Sequence, residues 1–275
     1  MAALSIACSL SGATRRRSVG IHDDPFAGVR SLVWIGAHPD DEVLIAPLLA
    51  ALCKDQGVRC SFIVMTRGEK GDCLLMAGCA PDIGAVRSGE MAQAAAYFHA
   101  NLAQLGYADG GALPDGSAPA WDAQAAGHEQ LVASIASLIE GFQPDAVITF
   151  DPRHGSSCHP DHRAAAIVAK EAAVLAGRAD AVIELETLLL ANAPPQIVFA
   201  PSTTGGSGSS VFNANVPLQS THMPAWDALI ADMQIHRSQF DESWIEAARA
   251  VPEQERDVYF ARAADAARLM VSTCP

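Results

Sequence analysis

The chain predicts an α/β fold: a mainly parallel, Rossmann-like central sheet flanked by helices, with a less regular C-terminal part. Three observations carry that expectation. Apolar, β-rich runs recur at residues 32–35 (LVWI), 58–66 (VRCSFIVMT) and 145–150 (DAVITF). Each is followed by a polar turn, and helically spaced apolar residues lie between the runs. The intervals between them are too long for hairpins and suit right-handed crossovers. At 275 residues, half of them apolar, the chain is large enough for one sizeable core. Residues 23–275 read as a single domain behind a loosely ordered arm, residues 1–22.

Taken in order, the first run ends at Gly36 and Ala37 and delivers His38, Pro39, Asp40, Asp41 and Glu42, after which residues 43–52 continue at near-helical spacing. The acidic residues fall in the first helical turn, where the helix dipole favours carboxylates. The second run ends in Arg67, Gly68, Glu69, Lys70 and Gly71. A long Ala-rich helix is expected over residues 83–105, a loop over 106–119 and an amphipathic helix over 128–142. The third run ends in a second polar burst, residues 151–162 (DPRHGSSCHPDH), that leads into a helix over 163–175. Further strands are expected at 182–190, 196–200 and 211–218, a flexible linker at 201–210, and helices at 226–240 and 257–270.

Composition narrows the partners. A formal charge of -13 without a Lys/Arg stripe argues against nucleic acid and leaves a small-molecule ligand. No apolar run approaches the roughly 20 residues that span a bilayer. Arg15, Arg16 and Arg17 follow the apolar N-terminal stretch instead of preceding it, the reverse of a secretory signal. Seven cysteines, an odd number with no spaced framework, read as reduced thiols in a cytoplasmic setting.

The chemistry sits in the two polar bursts. His38 and Asp41, separated by two residues, can turn toward one point from a loop entering a helix, and His162 can supply a third donor from the other loop. Three N/O donors with an open position describe a catalytic zinc site; a ferrous ion satisfies the same donors. Asp40 is placed to accept a proton. His159 faces the substrate as a hydrogen-bond or proton donor, or else serves as a fourth ligand. Asp161 is expected to orient an imidazole. Together these parts suggest metal-assisted amide hydrolysis. The G-x-G-x-x-G fingerprint is missing from the first βα turn, so nothing marks a dinucleotide site.

These motifs, His38-Pro39-Asp40-Asp41-Glu42, Thr66-Arg67-Gly68-Glu69, Arg87 with Glu90, His159-Pro160-Asp161-His162 and His236-Arg237-Ser238-Gln239, resemble the PIG-L/LmbE family of zinc-dependent N-deacetylases. The resemblance runs over residues 32–240. It implies that His38, Asp41 and His162 bind zinc, that Asp40 is the general base, and that His159 stabilises the oxyanion or acts as acid. It further implies that Arg87 and an aspartate of the next loop, Asp109 or Asp115, contact an N-acetylglucosaminyl substrate. Ser157 stands where some relatives carry a tyrosine, which leaves the substrate open. Hydrolysis of a larger amide conjugate and metal-dependent carbohydrate binding without turnover are the competing readings.

Overall fold

A computed structural model describes residues 24–191, 197–201 and 210–262. The N-terminal arm, nearly all of the expected linker and the end of the last expected helix lie outside the described residues.

The chain enters through β1 (Ser31–Gly36) and turns through a 3-10 segment (Asp41–Ile45) into α1 (Ala46–Leu49), which widens into a π-helical segment (Ala50–Asp55). It then forms β2 (Arg59–Thr66), α2 (Ile83–Tyr97), β3 (Asn101–Tyr107), α3 (Pro119–Gln124), α4 (His128–Phe142) and β4 (Ala146–Phe150). A short α5 (Gly155–Cys158) precedes α6 (Pro160–Leu175), β5 (Val182–Leu185), β6 (Thr187–Ala191), β7 (Ile197–Pro201) and β8 (Ser210–Asn213). The chain closes with α7 (Trp226–Ile235), α8 (Glu242–Ala250) and β9 (Asp257–Arg262).

Seven strands form one sheet in the order β3-β2-β1-β4-β5-β9-β8, and β6 pairs with β7 in a separate ribbon. The first five are parallel; β9 and β8 run antiparallel. The fold is therefore the expected mainly parallel, helix-flanked sheet. β1 is buried at every position because both of its faces are covered. Side chains alternate across it: Leu32 and Trp34 join a core with Leu48, Leu49, Met91 and Leu229, whereas Val33 and Ile35 join one with Leu131, Ile135 and Val168. Strand order reverses between β1 and β4, in register at Ile35 and Thr149, so the loops after these strands open into one crevice.

Several expectations fail for identifiable reasons. The expected helix over 83–105 stops at Tyr97; the chain turns at His99, whose φ is 56°, and continues as edge strand β3. Residues 257–262 form β9 instead of a helix, filling the position beside β5. The span 182–190 is two strands, and β8 ends at Asn213. Cysteines are also paired: Cys53 bonds Cys60, Cys73 bonds Cys79, and Cys158 is disulfide-bonded. Reduced thiols are thus the wrong reading. The segments between the first two pairs fold back far enough to bring their Cα atoms within 5.8 and 6.1 Å, closeness that sequence spacing does not reveal. Among the described residues no helix is long and apolar enough to cross a membrane.

Candidate active site

At the end of β1 the Asp41 carboxylate folds back on the chain. Its Oδ2 accepts the N–H groups of Ala37 (2.7 Å) and His38 (2.8 Å). Gly36 makes room for this: a Cβ there would lie 2.9 Å from Trp34 Nε1 and 3.2 Å from Asp41 Oδ2. The free Oδ1 then lies 3.0 Å from His162 Nε2 and 3.6 Å from His38 Nδ1, and those two nitrogens are 3.1 Å apart. His162 donates through Nδ1 to the Gly155 carbonyl (2.7 Å), which leaves a lone pair on Nε2.

Two lone-pair acceptors facing each other at such range repel unless a proton or cation stands between them. Four ligands at about 2.0–2.1 Å around a tetrahedral ion are separated by about 3.3 Å. The three separations bracket that value, so the donor set fits a divalent ion.

The remaining nitrogen of His38 faces two more carboxylates, Asp109 Oδ1 at 3.1 Å and Asp161 Oδ2 at 3.3 Å. Asp161 is itself fixed by the N–H groups of Gly110 (2.6 Å) and Ala112 (2.9 Å), and Asp109 by that of Lys70 (2.7 Å). Burial alone would lower the pKa of His38, but hydrogen bonds to Asp109, Asp161 and Asp41 raise it well above the usual imidazole range. Burial likewise opposes ionisation of Asp41, yet His162 and His38 hold its carboxyl well below normal. The cluster calls for positive charge at its centre.

Asp40 sits beside this cluster with φ 104°, the left-handed region that a non-glycine residue enters at a cost. Arg87 secures it: Nη2 lies 3.0 Å from Asp40 Oδ2 and donates to the Pro39 carbonyl (2.6 Å), while Nη1 donates to that of Gly68 (3.0 Å). Burial raises the Asp40 pKa, the Arg87 charge opposes this and Asp41 adds to it; the net direction is upward. On the other side, His159 Nδ1 accepts the Asp161 N–H at 3.2 Å, which places the ring proton on Nε2. Its ring lies 4.8 Å from that of His38 and 4.9 Å from that of His162. Burial and these two imidazoles press its pKa down to about 4, so it is neutral at pH 7.

Of the nine site residues singled out from the sequence, all but Asp115 thus meet in one place. Seven line a cavity of about 450 Å³, and Asp161 lies fully buried behind it. Asp109 is the aspartate at the site; Asp115 is exposed and caps Ser117. Lys70 also lines the cavity. Sequence reasoning passes over Glu42 and Asp232. Glu42 is fully buried, accepts from His236 Nε2 at 2.6 Å and from the Asp40 N–H at 3.3 Å, and so ties the loop after β1 to the end of α7. The resemblance marks His236 within His236-Arg237-Ser238-Gln239, but its partner Glu42 is 194 residues away. Arg67 pairs with Asp82 (3.1 Å), not Glu69, which instead accepts the Asp109 N–H.

Residues 33–173, just over half the chain, match the family model PIG-L: GlcNAc-PI de-N-acetylase. The chain belongs to the PIG-L family. A 1D-myo-inositol 2-acetamido-2-deoxy-alpha-D-glucopyranoside deacetylase of Acidothermus cellulolyticus is 33% identical over 187 residues, which cover 62% of this chain and 61% of that protein. The chain thus spans less than two thirds of the length of that curated relative. Among solved structures, an N,N'-diacetylchitobiose deacetylase from Pyrococcus horikoshii superimposes with TM-score 0.58 at 18% identity, covering 91% of this chain and 90% of that one. A 4-carboxy-2-hydroxymuconate hydratase from Pseudomonas putida KT2440 gives TM-score 0.55 at 15% identity, covering 85% and 96%. Those two likenesses establish the fold alone.

Proposed function

We propose that this PIG-L family member is a metal-dependent hydrolase that removes the acetyl group from an N-acetylglucosaminyl-type substrate. What supports the reading most directly is the convergence of His38 Nδ1, Asp41 Oδ1 and His162 Nε2 within 3.6 Å at the floor of the cavity, flanked by Asp40 and His159. Zinc is the proposed ion, with ferrous iron satisfying the same donors. When bound, the ion supplies a Lewis acid that polarises the acyl oxygen and eases loss of a proton from water.

Each protein group then has a defined task. Asp40, its affinity for a proton raised by burial, accepts the proton of the attacking water and returns it to the amide nitrogen as the C–N bond breaks, so that acetate and the free amine leave. Arg87 holds that carboxylate in place. Neutral His159 presents Nε2–H to the oxygen that becomes negative as the carbonyl carbon turns tetrahedral. Asp109 and Asp161 fix the ring of His38, and Lys70 faces the sugar. The partner is a small acetylated molecule, consistent with the acidic surface, and not nucleic acid. The cytoplasmic expectation rests on free thiols, and the disulfides remove that support.

The test is release of free amine from the inositol-linked substrate named for the Acidothermus relative, with zinc-loaded protein. Turnover is expected, and Asp40→Asn should lower kcat by about 10²-fold or more while zinc content is unchanged. Equal rates in the two proteins would remove Asp40 from the mechanism. Binding of the sugar without any turnover would instead favour the sensor reading.

A further inference from the structure

The cavity is chemically two-sided. Part of its lining, the floor, is charged, but Val43, Leu44, Leu229, Met233, Phe240 and Trp244 make another part, the wall, apolar. Leu229 and Met233 are one helical turn apart on α7 and so present one face. Phe240 follows that helix and Trp244 lies in the first turn of α8. These two rings meet edge-on, with centroids 6.2 Å apart and planes at 79°, and both are only partly buried. Aromatic rings left open at the side of a pocket whose floor carries the reacting groups make an apolar subsite. A wholly polar sugar conjugate would leave that surface wet.

Four of the six wall residues lie beyond residues 33–173, the part that matches the family. The charged floor thus lies within the stretch that matches the family, whereas most of the apolar wall lies outside it.

We infer that the substrate of this enzyme carries an apolar group, alkyl or aryl, that packs against the partly open rings of Phe240 and Trp244, which the buried Leu229 and Met233 back, while its amide lies over the His38–Asp41–His162 floor. This rests on the deacylase reading and refines it. The apolar group enters either as an N-acyl chain longer than acetyl or as an apolar aglycone on the sugar. Both use the same chemistry, burial of hydrocarbon, and each buried methylene is expected to improve binding by ~4-fold.

Two ligand series separate the sources. One compares N-acetyl- with N-hexanoylglucosamine; the other compares methyl with octyl N-acetylglucosaminide. Each is measured by calorimetric binding and by amine release, with zinc-loaded wild type and the Trp244→Ser and Phe240→Ser variants. In one series the longer member should bind at least tenfold more tightly, and that advantage should shrink to about twofold in both variants. The shortest members should be little affected. The series that responds identifies which end of the substrate is apolar.

If the short acetylated sugars are bound and cleaved but chain length has no effect in either series, the subsite is overturned and the deacetylase reading stands. If no sugar is cleaved, the deacylase reading falls. Binding of N-hexylacetamide then decides the subsite: weakening in Trp244→Ser supports it, and equal binding overturns it.

Discussion

The floor of the cavity is built from residues 36–42 and 154–162, two short runs at the ends of adjacent parallel strands, whereas the apolar wall comes mostly from α7, α8 and the turn between them. The floor is held by hydrogen bonds: Asp41 to the backbone of Ala37 and His38, His162 to Gly155, Asp161 to Gly110 and Ala112. The wall is held by apolar contact, and contact tolerates exchange of one hydrophobic residue for another of similar volume. A site partitioned in this way keeps its chemistry while its choice of substrate changes. The two regions communicate through a buried link, Asp40 N–H to Glu42 and Glu42 to His236, where α7 ends.

The sharpest way to break the comparison is at Arg87, which joins the floor to the β2 loop. The resemblance to known deacetylases assigns it to the sugar, but its guanidinium also pairs with Asp40 and donates to two carbonyls. Arg87→Met should lower kcat by about 10-fold or more, the scale of losing a positioned base, with little change in KM. A raised KM at unchanged kcat would instead make its contact with substrate the dominant one.

An effect on stability, not on rate, is expected at His236. Burial would lower its pKa, but Glu42 and Asp232 pull it up to about 9. The folded value lies above the unfolded one, near 6.5, so the stability from this pair is fully present below pH 6.5 and is lost as pH rises through about 9. His236→Gln should therefore cost about 3 kcal/mol at about pH 6, the scale for breaking a buried pair. That deficit should narrow as the pH passes above the folded value in paired urea titrations. A deficit independent of pH would show that His236 is neutral and contributes by packing alone.

The same contrast governs what the sequence discloses. The floor is legible because its donors crowd into two runs, HPDDE one residue after β1 and HPDH at the end of the polar loop that follows β4, and parallel pairing of β1 with β4 brings such runs together. Asp109 can be chosen over Asp115 only in three dimensions, where one aspartate reaches His38 and the other caps a surface turn. β3 is hidden because its Leu102-Ala103-Gln104-Leu105 run suits a helix and it closely follows an Ala-rich one; tertiary pairing with β2 overrides that local preference. β9 reads as helix for a similar reason, since Ala-rich sequence follows Tyr259 and Phe260, and its place beside β5 is set by a partner far away in the chain. Buried Glu42 meets His236 from 194 residues away, and no local pattern announces that meeting; Asp232, by contrast, lies one helical turn before His236 on α7.

Whether His38, Asp41 and His162 grip one ion is tested most directly by elemental analysis of purified wild type and His162→Ala. About one zinc or iron per wild-type chain is expected, with a fall to near zero in the variant and the fold retained by circular dichroism. Equal metal content in the two proteins, or no bound metal in a wild type that still releases amine, would contradict the shared-ion site.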